Sequence, residues 1–458
     1  MNLSFGGPVA RAALAAAVCA AATGAAAQFQ LPASGCPMAH CDTALSDQVR
    51  AAVPRSVERL AFDAVPVGGG GLGCVSNGQI AACSFRGDPA RQSNLVVYDA
   101  DGQRLWEDGG VLGWQAWFSA PLVGTDGSVV AADNRWVMRV QPASGTVLWR
   151  SAKPDPGTPI SPVPVGTGAP MLLVATKDNT SGGEPAVTVW DLETGALLSQ
   201  RVLRDTVTGA VYITRNTAVT NGRRAYVVGS RIDDENAGRL FAIDVCESRR
   251  CGGRGATQVR WTYDFKGPSG ASPLLLGDTV VFDGRPVGNI GSLMAVRDNG
   301  ARPRRVWFRE FPSTFGVSPA LDRRGGFWVH YVAPDGKTLM RLSEADGSLL
   351  QEVDVSSVLG VEPGYVAHSV TMMATNDDGA EVVMIGAQPE GASSAPTYVA
   401  AIDVSSDPAG RLLWRHEVGA SKDQNAAGGQ FPILVNAQGA RRILFQGSKT
   451  GAILVGEP

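Results

Sequence analysis

Charge is thin in this chain. Only 18% of its 458 residues are Asp, Glu, Lys or Arg, the formal net charge is −3, and there are four histidines. That balance leaves no electrostatic footprint for nucleic acid or an anionic membrane surface. The arginines fall in small separate groups such as Arg304-Arg305 and Arg441-Arg442, which read as solvated surface. No His-Glu-x-x-His and no Gly-x-Ser-x-Gly occurs, so zinc-peptidase and nucleophile-elbow chemistry find no support. No cysteines are adjacent and none are separated by two residues, which excludes the spacing usual for zinc, iron–sulfur and haem c sites. Past residue 27 no apolar run is long enough to cross a bilayer as a helix.

Turn formers and apolar residues fill the space that charge leaves. Glycine (56), proline (28) and a 44% apolar fraction suit many short strands joined by tight turns, and exclude a disordered composition. The first 27 residues stand apart. Arg11 precedes a nearly unbroken Ala/Leu/Val run from Ala12 to Ala22, and small residues follow to Ala27. This is the pattern of a secretory signal peptide over 1–27, with Gln28 as the expected mature N-terminus. Beyond it lie Cys36, Cys41, Cys74, Cys83, Cys246 and Cys251, three close pairs in an exported chain. Local disulfides are the simplest of the possible pairings.

Self-comparison gives the architecture. Eight times a Ser-Pro or similar opening leads into an apolar strand, a Gly/Asp turn, a second strand, a loop and a third strand. Ser119-Ala120-Pro121, Ser161-Pro162, Ser272-Pro273 and Ser318-Pro319 are such openings. Each repeat then closes on a turn followed by Trp: Asp101-Gly102 before Trp106, Ser144-Gly145 before Trp149, Ala409-Gly410 before Trp414. Gly195 and Gly347 have the turn but Ser199 and Gln351 at the Trp offset, and Trp261 and Trp307 follow longer turns. This pattern over residues 57–458 resembles the tryptophan-docking repeat of the quinoprotein alcohol dehydrogenase-like (PQQ-like) propellers. The resemblance implies an all-β, eight-bladed β-propeller in which these Trp residues pack blade against blade.

The last repeat ends a strand short at Gly451–Val455. The alternating stretch Val57–Val65, with Leu60, Phe62 and Ala64 on one face, is expected to supply that strand and close the ring. Residues 28–56 are then a lead segment with one local disulfide. With strands lettered A to D from the axis outward, the A–B turns are terse, as at Gly124–Gly127 and Asn221-Gly222. The B–C and D–A connections are long, as over 84–94, 177–185, 230–239, 353–368 and 415–430. Binding residues favour long loops on a rigid scaffold. The B–C/D–A face is therefore the expected working face, with Trp114, Trp117, Arg215, Asn216, His368 and Gln430 around the channel mouth.

Quinoprotein dehydrogenases of this superfamily stack a quinone near a disulfide of adjacent cysteines, beside calcium held by Glu, Asn and Asp. No adjacent cysteines and no such calcium set can be picked out here. Gly68–Gly73 matches a dinucleotide fingerprint only on paper, without its strand–helix context. The expectation is an exported, monomeric, non-catalytic binding or scaffold propeller, periplasmic or secreted. It would take a protein or small molecule at the B–C/D–A face, with no metal and no cofactor. The alternative is a PQQ- and calcium-dependent alcohol or sugar dehydrogenase with a diverged site.

Overall fold

The recurring Asp/Gly turn folds each repeat into a blade. In the computed structural model, which describes residues 28–458 apart from 64–72, 86–92, 114–118, 155, 169, 177–183, 235, 249–251, 286–289, 316–317, 333, 392, 421–428 and 448–450, the strands form eight sheets, antiparallel but for one parallel strand at the inner edge of blade 7. Blade 2 is typical: Leu122–Val123, Val129–Ala132, Trp136–Gln141 and Thr146–Ala152, paired in that order from axis to rim. The other blades span 74–107, 163–202, 212–266, 274–311, 320–354 and 365–420, and the eighth is 433–456.

The eighth blade takes its outermost strand from the other end of the chain. Glu58–Asp63 pairs antiparallel with Gly451–Gly456, with Arg59 opposite Val455 and Asp63 opposite Ala452. The ring is thus closed by an N-terminal strand, as the missing strand predicts. The strict alternation expected there is broken. The register shifts between Arg59 and Ala61, so Leu60 and Ala61 both pack against the blade 8–blade 1 core. Closure satisfies what would otherwise be a bare sheet edge.

The blade junctions explain the tryptophans and their replacements. The Trp149 indole N–H donates to the Leu192 carbonyl of the next blade (3.0 Å), and Trp307 does the same to Glu344 (2.9 Å). Trp414 of blade 7 donates to Pro54, which leads into the closing strand (2.9 Å). Trp149 rests on Gly195, where φ is +71° and a Cβ would stand 2.5 Å from the ring, so only glycine fits. Where Trp is absent, a polar side chain reaches the neighbouring blade's turn. Ser199 Oγ donates to Gly255 O (2.6 Å), and Gln351 Nε2 to Pro408 O (2.9 Å). The recurring serines form a second set of ties. The N–H groups of Ala120, Thr217 and Ser272 each donate to the opening serine of the next blade: Ser161, Ser272 and Ser318.

Residues 28–53, expected as a mere lead segment, close the axis. Propeller inner strands carry a bare edge, and here the N-terminal segment winds past the A–B end of one after another. Cys36 exchanges hydrogen bonds with Ser76 of blade 1 (2.9 and 2.7 Å). The carbonyls of Pro37, Thr43, Ala44, Ser46 and Asp47 then accept from Val123, Thr220, Leu275, Leu321 and Met373, of blades 2, 4, 5, 6 and 7 (2.8–2.9 Å). Gln48–Ala52 finishes the circuit parallel to Met372–Thr375. Phe29, Met38 and Leu45 enter the main core cluster.

Loop lengths depart from expectation because strands run further into the polar sequence. Arg224–Arg231 and Ala237–Val245 leave only 232–236 between them, and Arg411–Ala420 absorbs much of a presumed connection. The 353–368 connection holds a one-turn helix, Val355–Leu359, capped by the Asp354 carboxylate, and a further strand, Tyr365–Ala367. The disulfides Cys36–Cys41 and Cys74–Cys83 are formed. Cys246 is disulfide-bonded, and its expected partner Cys251 lies outside the described residues.

Candidate functional site at the axial channel

The plug is built from a tight loop, His40–Asp47. The Asp42 carboxylate gathers it by accepting from the Ala44 and Ser46 N–H groups (3.1 Å each) and from Ser46 Oγ (2.6 Å). His40, Cys41, Leu45 and Asp47 all have positive φ, between 52° and 70°. Four such residues in eight, none of them glycine, mark a backbone held in place by its surroundings. The Cys36–Cys41 bridge and the carbonyl contacts to five blades supply that restraint.

Within this loop His40 and Asp47 form a pair. The imidazole Nδ1 lies 2.9 and 3.1 Å from the two carboxylate oxygens of Asp47. Asp47 is fully buried, and burial raises its carboxyl to about 6 although the His40 ring pulls it down. Nε2 of His40 has no hydrogen-bond partner among the described residues, and the side chain is 12% exposed. The tip of the plug reaches the long-loop ends of the inner strands. Ala39 belongs to the core cluster that includes Leu112 and Ala120, which lead into blade 2 from that side, and Met38 O accepts from Gln430 Nε2 (3.3 Å), which leads into blade 8. The His40–Asp47 loop therefore lies beneath the B–C/D–A mouth.

The residues expected at that mouth divide. Trp114 and Trp117 lie outside the described residues. Arg215 is exposed and makes no ion pair or hydrogen bond among the described residues. His368 is an exposed residue, yet partial burial and the neighbouring His330 hold its pKa below the usual value. Asn216 and Gln430 are buried and act as ties. Asn216 Nδ2 donates to Ser269 Oγ of blade 5 (2.8 Å), and Gln430 holds the plug. His330, not singled out from sequence, is buried between the carbonyls of Tyr331 (2.9 Å) and Ser369 (3.1 Å), linking blades 6 and 7.

The buried carboxylates of this face are occupied with backbone. Asp108 accepts from the N–H groups of Asn94, Leu95 and Leu112 (2.7–3.1 Å), and burial still raises it to about 6. Asp283 accepts from Ser269, Gly270 and Ala271, with burial again raising its pKa. Each folds a D–A connection. Among the described residues no three His, Cys, Asp or Glu side chains converge as a metal would need. The described disulfides join cysteines five and nine residues apart. The described residues do not fit the calcium of a quinone site, and the sequence has no adjacent cysteines for its disulfide.

Fold and junctions together define an eight-bladed β-propeller. Among solved structures, a europium-containing methanol dehydrogenase matches with a TM-score of 0.58 at 12% identity, over 92% of this chain and 98% of that one. The Dos1 propeller matches at 0.53 and 10% identity, over 88% and 95%. BamB from Moraxella catarrhalis gives 0.49 at 13% identity, over 88% and 99%. At such identities the likeness is one of fold. No family model and no curated protein matches the chain.

Proposed function

We propose that this chain is an exported, non-catalytic binding propeller whose protein or small-molecule ligand seats over the plugged axis from the B–C/D–A face. One observation carries the reading: the chain's own residues 28–53 occupy the A–B end of the axis, which leaves the opposite end for a ligand. Arg215 and His368 precede inner strands at that end and are exposed, and the plug loop below them carries His40, whose Nε2 has no partner among the described residues. The leader of 1–27 and the disulfides support an oxidising, extracytoplasmic location.

A photo-crosslinking residue at position 215, compared with one at position 278 on the opposite face, tests this. Adducts formed in the native host from 215 and not from 278 are the expected result. Equal adducts, or adducts from 278 alone, would move the site elsewhere. Reduction of a redox dye by the chain supplied with PQQ, calcium and an alcohol, above a boiled control, would replace this reading with the dehydrogenase one.

A further inference from the structure

At the rim, blades 4 and 5 part. Their junction is tied where the Trp261 indole N–H donates to Asp298 Oδ1 (2.9 Å). Tyr263 and Phe265 follow Trp261 at alternate positions of Thr257–Lys266, so all three face blade 5. On the other wall Phe308 stands opposite Met294, and Glu310 opposite Ser292, in the strands Pro303–Phe311 and Gly291–Asp298. Trp307, next to Phe308, faces blade 6, which turns Phe308 and Glu310 toward blade 4. A groove of about 310 Å³ lies between these walls, and every described residue lining it belongs to one of the three strands.

The groove is aromatic at its walls and uncommitted at its edges. Tyr263 and Phe265 are half-buried, and Phe308 is 40% exposed. The exposed Arg305 guanidinium lies over the Phe308 ring, 5.9 Å from its centre, and makes no ion pair or hydrogen bond among the described residues. Neither do the side chains of Lys266 and Glu310 or the Tyr263 hydroxyl. Asp264 is already held by Arg239. The open groups are thus two cations, one carboxylate, and a hydroxyl that both donates and accepts. An anion would meet Glu310, and a cation would meet Lys266 and Arg305, so neither suits the groove as a whole. An uncharged ligand that is donor and acceptor at once does.

We propose that this groove binds a sugar ring of an uncharged oligosaccharide. Each hydroxyl of such a ring can accept from Lys266 or Arg305 and donate to Glu310 without bringing charge to either. Its C–H hydrogens, slightly positive, suit the negative face of an aromatic ring, as the edge of a second ring does. The volume stands at the lower end of the roughly 300–1,000 Å³ of ligand pockets, sized for a sugar unit or two. Walls made of strands hold these groups more firmly than loops would. This site lies on the rim, away from the axis, and stands or falls alone.

Saturation-transfer NMR on the intact mature chain, with maltotriose, cellotriose and triacetylchitotriose as uncharged probes of different linkage, tests it. Transfer to the ring C–H protons of at least one, saturating on titration, is expected. Phe308→Ala should weaken that binding about tenfold, the loss expected of a removed aromatic anchor. Glu310→Ala and Lys266→Ala should each weaken it severalfold, while Leu349→Ala, an exposed apolar residue on the rim of blade 6, should change nothing. The variants should fold, because Phe308, Glu310 and Lys266 are exposed and their side chains make no described hydrogen bond, and circular dichroism checks this. Transfer to none of the three sugars, or equal loss from Phe308→Ala and Leu349→Ala, would overturn the proposal. So would N-acetyltryptophanamide, standing for the aromatic side chain of a partner protein, if it binds in a Phe308-dependent way where the sugars do not.

Discussion

Asp47 opposes folding at neutral pH. Its carboxyl moves from an ordinary 3.8 to about 6 on burial, so the folded chain holds that proton more tightly than the unfolded one. A carboxyl shifted this way contributes most to stability below about pH 4, and the contribution is lost as pH rises through about 6. At about 1.4 kcal/mol per pKa unit the effect is at most roughly 3 kcal/mol. Asp47→Asn keeps an oxygen facing His40 Nδ1 and removes the charge. The stability of the variant relative to the native chain should therefore increase between pH 4 and pH 6 and then level off. Urea unfolding at pH 4 and pH 7 measures it, and an identical difference at both would refute the assignment. Nothing in the sequence announces this pair. The residues are seven apart in no motif, and their left-handed backbone falls on side chains that rarely adopt it. Arg215 and His368 lie four residues before the inner strands Val219–Thr220 and Met372–Thr375 and are exposed, whereas Asn216 and Gln430, also ahead of inner strands, turn inward to neighbours that only the fold supplies.

The closing strand and the plug are adjacent in the chain and differ in what betrays them. Glu58–Asp63 could be read because the last repeat lacked a strand and an alternating stretch was available to supply it. Residues 28–53 have no such period. Their shape comes from carbonyls that meet the inner strands of successive blades, a backbone property with no residue signature. This alters the expected response to truncation. Sequence alone would let a chain begun near residue 50 fold. A chain begun at residue 54 keeps the closing strand but leaves six inner-strand N–H groups without their carbonyls and strips Phe29, Met38 and Leu45 from the core. At about 1 kcal/mol per hydrogen bond, with core losses added, several kcal/mol are lost. It should melt well below the chain begun at 28, and a chain begun at 70 should aggregate. Equal melting of the first two would mean the plug contributes nothing.

The whole ring is held by repeated blade-to-blade ties, of which the indole bonds are the simplest to remove. Trp149→Phe and Trp307→Phe each keep the ring packing and lose one hydrogen bond, at a cost of about 1 kcal/mol. These junctions lie three blades apart and share no partner, so the double variant should equal the sum within about 0.5 kcal/mol in a single denaturation transition. Strong non-additivity, or two transitions, would show that the blades do not unfold as one body. The ring's seam has a temporal meaning. Arg59 pairs with Val455, and Arg55 N–H meets the Glu457 carboxylate 402 residues away, so the closing strand, made early, waits for Gly451–Gly456. Until residues 433–456 are made, blade 8 is incomplete and the plug has no complete circle to line. Contacts of such separation make folding slow. The ring of the nascent chain therefore stays open until those residues leave the ribosome, the state that a translocation channel would require if the chain is exported as proposed.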